Sequence, residues 1–247
     1  MAALTIDGIG VDFGGFKAVD NFSMTVEEGE LRVLLGANGA GKTTLMDLIS
    51  GKTKSTEGRI LLHDRDITNW QEHKIAREGV GRKFQIPTVF RELTVRENFE
   101  VAGFNHHGVL LNVGSRRKKI AADRIEEVTN LVNLRGKLSD RAGSLSHGET
   151  QWLELGMVLV QNPKIILLDE PSAGMTVQET LKTSQIINDL KGRHTLIVVE
   201  HDMAFVREIA EKVTVMHLGK VLAEGVIQDI ENNQAVKDAY LGRGGIG

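Results

Sequence analysis

Residues 36–43 read Gly36-Ala37-Asn38-Gly39-Ala40-Gly41-Lys42-Thr43 and follow directly on the apolar stretch Leu31-Arg32-Val33-Leu34-Leu35. A strand that runs into a Gly-x4-Gly-Lys-Thr loop, and from there into the helical stretch Thr44-Leu45-Met46-Asp47-Leu48-Ile49-Ser50, is the setting of a phosphate-binding loop. Without side chains at Gly36, Gly39 and Gly41, the backbone from Gly36 to Thr44 can wrap a polyphosphate with its N–H groups pointing inward. Lys42 then reaches the terminal phosphates and the Thr43 hydroxyl reaches Mg²⁺. The following helix places the positive end of its dipole under the same anion.

A second apolar run, Ile165-Ile166-Leu167-Leu168, ends in Asp169-Glu170. Open α/β sheets bind ligands at the carboxyl ends of their strands, so these two acids stand where a ligand is expected. Asp169 is the candidate Mg²⁺ ligand, and Glu170 the group that polarises the attacking water.

The pattern around these two stretches changes along the chain. The first third carries β-like runs at 3–13, 22–26, 31–35 and 59–62, with one clear helix among them. From about Gln85 to Gln161 strand signals fade and helical periodicity takes over, ending in a long helix over 148–160. The last third alternates strand and helix: 165–168, 178–190, 195–199, 203–210 and 213–217, then a strand over 220–224 and a closing helix over 228–241. Apolar strands alternating with helices predict a parallel sheet covered on both faces.

Composition narrows the function classes. With 30 Lys and Arg against 33 Asp and Glu, the formal charge of −3 offers no general attraction to nucleic acid. The basic run Arg116-Arg117-Lys118-Lys119 opens an amphipathic helical stretch and reads as a solvated face. There is no cysteine, which removes disulfide and thiolate chemistry. No stretch approaches the roughly 20 apolar residues of a membrane span, and the start lacks a signal-like core, so the expected location is cytoplasmic.

Together with the two apolar-strand motifs, the string Leu145-Ser146-His147-Gly148-Glu149, Gln85 after Gly81-Arg82-Lys83-Phe84, and His201 after Leu196-Ile197-Val198-Val199-Glu200 resemble an ATP-binding-cassette ATPase over about 4–241. The resemblance implies an α/β P-loop NTPase core with a parallel sheet, an N-terminal antiparallel β subdomain and an inserted helical subdomain. One nucleotide-binding domain would fill 1–247, with 1–84 and 162–247 as catalytic core and 85–161 as the helical part. ATP and Mg²⁺ are the implied cofactors.

Further roles are carried by the same resemblance. Ser146 and Gly148 would contact the γ-phosphate bound to an opposing subunit, and Gln85 would contact Mg²⁺ and the attacking water. His201 would orient Glu170, while 172–176 would couple the two sites. Two positions depart from the family string Leu-Ser-Gly-Gly-Gln: His147 replaces a Gly and Glu149 replaces a Gln. A carboxylate beside a triphosphate is unfavourable unless it faces away. Phe13 stands where the family stacks adenine on an aromatic ring; Phe16 is the other candidate, and a core position closing the first strand is the alternative for Phe13.

The implied assembly is a second cassette subunit, identical or related, with transmembrane permease subunits and, indirectly, a periplasmic or extracellular solute-binding protein. The chain would lie peripherally on the inner face of the cell membrane. Val11 to Val19, Ala173-Gly174-Met175 and Glu200 to Met203 are similar to the branched-chain amino acid and urea importer subgroup. Within it, 81–90, 146–148 and 151–157 look most like urea transporter subunits, so urea is the expected solute. A branched-chain amino acid importer, or a non-transport cassette such as an iron-sulfur assembly ATPase, is the alternative.

Overall fold

The computed structural model describes residues 1–83, 89–104 and 115–241. Strands β1 (Ala2–Phe13) and β2 (Phe16–Glu27) form an antiparallel hairpin whose turn, Gly14-Gly15, has φ of 63° and 97°. Positive φ at both central residues is what a tight hairpin turn demands, and glycine adopts it without strain. β4 (Glu57–Leu62) pairs antiparallel with β1, and the short β5 (Arg65–Asp66) with β4, completing a four-stranded sheet ordered β2-β1-β4-β5.

The second sheet has six strands, ordered β10-β9-β3-β8-β7-β6. β3 (Leu31–Leu35), β7 (Ile165–Asp169) and β8 (Thr195–Glu200) are buried along their whole length. β6 (Val80–Lys83) and β9 (Lys212–His217) extend the parallel pairing on either side, and only β10 (Lys220–Gly225) runs antiparallel, at the edge.

Successive side chains of a strand point to opposite faces, so this sheet divides two cores. Leu34, Ile165, Leu167, Ile197 and Val199 face the antiparallel sheet and α1 (Lys42–Ser50). Leu35, Ile166, Leu168, Leu196 and Val198 belong to the other cluster, which reaches α6 (Val177–Leu190) and α7 (Met203–Ile209).

Three helices between β6 and β7 pack on one another: α3 (Val95–Phe104), α4 (Ser115–Leu131) and α5 (His147–Val160). Gly156 of α5 permits their approach, because a Cβ there would lie 2.5 Å from the Phe99 ring and 3.3 Å from Val128. Trp152 ties α5 to α6, its indole N–H donating to Thr183 Oγ at 2.9 Å.

Several details depart from the sequence reading. β2 begins at Phe16 rather than Phe22, and β5 and α2 (Glu72–Arg77) were not expected. The single closing helix is two, α8 (Ile227–Asn232) and α9 (Gln234–Leu241). They part at Asn233, whose backbone is extended and whose side chain accepts from Val236 N at 3.3 Å, as a helix cap does.

Alanine is about 1 kcal/mol better than glycine in a helix interior, so propensity alone would make Gly156→Ala stabilising. Overpacking against Phe99 is expected to reverse the sign, lowering unfolding free energy by about 1–3 kcal/mol. Urea unfolding checks this, and Phe99→Leu in the same chain should recover part of the loss.

Candidate nucleotide site

The glycine-rich loop leaves β3 at Leu35 and enters α1 at Lys42, two residues before the expected helix start. The boundary follows from Gly41, the helix N-cap, which has φ of 103°. A Cβ on Gly41 would also lie 2.5 Å from Ala18 O, and one on Gly36 would lie 2.6 Å from Met216 O. Both positions therefore require glycine for packing against the chain itself. Gly39 has open space around it and requires glycine for its φ of 80°. The loop is also pinned to the turn between β9 and β10, where Gly219 N donates to Ala40 O at 2.9 Å.

Lys42 is buried, with Nζ donating to Gly36 O at 2.6 Å and Ala37 O at 3.2 Å. Burial lowers its pKa, against the opposing pull of Glu170, Asp169 and Glu200. Its ammonium thus sits on the loop it must serve, within the field of three carboxylates.

Those carboxylates come from the ends of β7 and β8. Asp169 is 3% exposed; burial pushes its carboxyl pKa up, while Arg82, 3.8 Å away, opposes the shift. Arg82 also reaches α1, pairing with Asp47 at 2.6 Å and donating to Ser50 Oγ at 2.8 Å. Glu170 has φ of 47°, in the left-handed region that a residue with a Cβ rarely occupies. Its N–H donates to Val199 O at 3.0 Å, and its Oε1 lies 3.2 Å from His201 Nδ1. The sequence-separated pair Glu170 and His201 is thus in contact.

Glu200 is a functional candidate that the sequence reading used only as a flank. It is fully buried and its pKa is raised by that burial. Ser172 supplies two donors to Oε1, its hydroxyl at 2.7 Å and its N–H at 3.2 Å, and His201 N donates to Oε2 at 3.2 Å. A carboxylate closing a strand as apolar as Leu196 to Val199 was itself the signal, since a buried charge must be met by hydrogen bonds.

The Ser146 segment opens α5. Ser146 is the N-cap, joined to Glu149 in a capping box: Glu149 N donates to Ser146 Oγ at 3.2 Å, and Ser146 N to Glu149 Oε2 at 3.0 Å. The other oxygen of Glu149 is 2.7 Å from Lys137 Nζ. Both of its oxygens are engaged within the chain, which accounts for a carboxylate at this position. His147 is the first helical residue, and its Nε2 lies 3.1 Å from Ala173 O in the segment between β7 and α6. The hydrogen bonds of Ser146 Oγ and Gly148 N run to Glu179 of α6, at 2.9 and 3.2 Å.

Phe13 and Phe16 face each other across the hairpin turn, 54% and 66% exposed. The core alternative for Phe13 is thereby set aside. The start of β2 passes the glycine-rich loop at Ala18, whose carbonyl lies close to both Gly41 and Gly219. Gln85 lies outside the described residues.

Among the described residues no cluster of three or more His, Asp or Glu could hold a metal alone. Mg²⁺ does not need one, because it binds through one or two carboxylates together with substrate phosphates. The buried Asp169 at the rim of a phosphate-binding loop fits that donor set.

Family comparisons agree with this geometry. The ABC transporter family model matches residues 19–173. The high-affinity branched-chain amino acid transport ATP-binding protein LivG of Salmonella typhimurium is 37% identical over 248 residues, 97% of each chain. BraF of Pseudomonas aeruginosa, with the same description, is 36% identical over 252 residues and 97% of each chain. Among solved structures, the ADP conformation of MJ1267, an ATP-binding cassette of an ABC transporter, superposes with a TM-score of 0.86 at 29% identity, covering 98% of this chain and 100% of that one. With the strand–loop–helix at 31–50 and the carboxylates of β7 set beside it, the chain belongs to the ABC transporter family, as an ATP-hydrolysing subunit.

Proposed function

We propose that this subunit powers an importer by closing on a second cassette chain around ATP, with a branched-chain amino acid as the transported solute. The contact of Glu170 with His201, beside Lys42 and Asp169, carries the catalytic part of the reading. The solute is supported by the names of the relatives, which speak of branched-chain amino acid transport. Those names also weigh against a non-transport cassette.

Urea, to which residues 81–90, 146–148 and 151–157 point by resemblance, has no such support. Three of their residues have a structural role inside the chain. Lys83 donates to Gln151 and lies 4.0 Å from Glu154, all three buried, so strand β6 and helix α5 are joined by a single internal polar cluster. Burial lowers the pKa of Lys83, with Glu154 opposing. All three side chains are enclosed within the chain.

In the proposed mechanism Lys42 exchanges Gly36 O and Ala37 O for phosphate oxygens, and the N–H groups from Gly36 to Thr44 hold the remainder. Thr43 and Asp169, with Gln85, would hold Mg²⁺, which supplies charge neutralisation at the phosphates. Glu170 accepts a proton from the attacking water, and His201 holds its carboxylate in place. Phe13 offers the adenine its exposed ring. Ser146 and Gly148 donate to the γ-phosphate of the opposing chain, and hydrolysis removes those contacts and releases the pair.

The division into a core of 1–84 and 162–247 and a helical part of 85–161 is part of this proposal, supported by the mutual packing of α3, α4 and α5. So is attachment at the inner face of the membrane through permease subunits. Among the described residues no helix is long and apolar enough to cross a bilayer. A solute-binding protein would deliver the solute to the permeases.

Co-purification with the membrane partners tests the solute: leucine-loaded binding protein should stimulate ATPase activity, and stimulation by urea alone would overturn the assignment. Lys42→Ala should weaken ATP binding about 10- to 100-fold, the worth of one charged hydrogen-bond donor; calorimetric titration reads it. Glu170→Gln should keep ATP binding, slow hydrolysis about 10²-fold or more and accumulate a stable pair in sedimentation. Phe13→Ala should weaken ATP but not inorganic triphosphate.

A further inference from the structure

The N-terminus of α5 already carries an anion, and it belongs to the same chain. Glu179 Oε1 accepts from Ser146 Oγ at 2.9 Å and from Gly148 N at 3.2 Å. It lies so close to the helix end that a Cβ on Gly148 would be 2.5 Å from its carboxylate. Its other oxygen belongs to α6, where Thr176 N and Thr176 Oγ donate to Oε2 at 3.0 and 2.9 Å. One carboxylate therefore caps two helices at once. These hydrogen bonds, led by those from Thr176 and Ser146, hold its pKa below the usual glutamate range, so it is ionised at neutral pH.

Counting donors gives the consequence. A serine hydroxyl has one proton to donate and a backbone N–H has one. Ser146 Oγ spends its proton on Glu179 while accepting from Glu149 N, and Gly148 N–H is likewise directed at Glu179. A phosphate that takes these two donors must remove them from Oε1, and two anions so placed repel each other.

We propose that Glu179 is the resident anion of the Ser146 segment, displaced by the γ-phosphate of the opposing chain, and so competes with that phosphate and weakens pairing driven by triphosphate. This rests on the two-chain reading above. Oε2 remains with Thr176 throughout, so α6 keeps its cap while α5 changes partner. Glu179 is a positioning residue: it prearranges Ser146 Oγ and Gly148 N toward one point, then yields them.

Glu179→Gln isolates the charge, because glutamine serves as well as glutamate in a capping box. In the Glu170→Gln background, with ATP in excess, sedimentation should give a pair at least about tenfold tighter when Glu179 is also Gln, a difference of about 1.4 kcal/mol. The experiment is run with the chain alone and with its partner cassette where the pair is mixed. The tightening should shrink at high salt and be absent with ADP. Glu179→Ala, lacking the α6 cap, should still rank with Gln in pair affinity. Equal or weaker pairing in both variants would overturn the proposal. Failure of Glu170→Gln itself to pair with ATP would overturn the two-chain reading, and this inference with it.

Discussion

The register of three parallel strands is the constraint on which everything else depends. Leu35 of β3 stands opposite Glu200 of β8, and Asp169 of β7 opposite Val199. That pairing sets the start of the glycine-rich loop, the two acids and His201 at the carboxyl ends of neighbouring strands, although they lie far apart in the chain. A slip of one residue would exchange the faces of a whole strand, turning Leu34 and Val198 toward the wrong cores. Because all three strands are buried throughout, such a slip would cost several buried aliphatic side chains at about 1.5–3 kcal/mol each. Site geometry is thus fixed by core hydrophobicity rather than by contacts within the site.

Carboxylates dominate the charge at this end of the sheet. Asp169, Glu170 and Glu200 all act on Lys42, and two of them are buried deeply enough that their pKa values rise. At about 4 kcal/mol for unit charges 4 Å apart near a protein surface, three carboxylates would repel a polyphosphate strongly if nothing screened them. Arg82 restrains Asp169, and two donors from Ser172 hold Glu200. Glu170 is left as the most exposed of the three, one-fifth of its side chain reaching solvent, and it meets the His201 ring, whereas Glu200 takes the His201 backbone N–H. The proposed mechanism uses that placement for the proton of the attacking water.

Where a function needs contiguous residues, the sequence displayed it: the loop at 36–43 and the strand ending in Asp169-Glu170 were both legible because apolar runs with no alternation announce strands buried on both faces. The first half of β2 was not, since Lys17 and Asp20 sit at an exposed hairpin, pairing with each other at 3.0 Å instead of filling a core. Helix α2 has six residues and buries only Ile75, too little for a periodic signal. Glu149 read as an electrostatic problem until Lys137 and Ser146 were seen to face it. Glu179 carried only the local signal of a capping box with Thr176; its link to α5 carried none, because Gly148 and Ser146 lie 31 and 33 residues away.

The segment between β7 and α6 shows why those long-range contacts matter. At one end Ser172 is held by Glu200, whose second oxygen receives the N–H of His201, the residue that faces Glu170. In the middle Ala173 O meets His147. At the other end Thr176 shares the Glu179 carboxylate with Ser146 and Gly148. Gly174, with φ of 72°, supplies the turn, and a Cβ there would lie 3.2 Å from His147. Five residues thus span the distance from Glu200 and His201 to the donors of α5, each end fixed by a charged hydrogen bond of about 1.5–3 kcal/mol. Because Thr176 keeps Oε2 when Ser146 and Gly148 release Oε1, the proposed exchange at α5 leaves this segment held at both ends, by Glu179 at Thr176 and by Glu200 at Ser172.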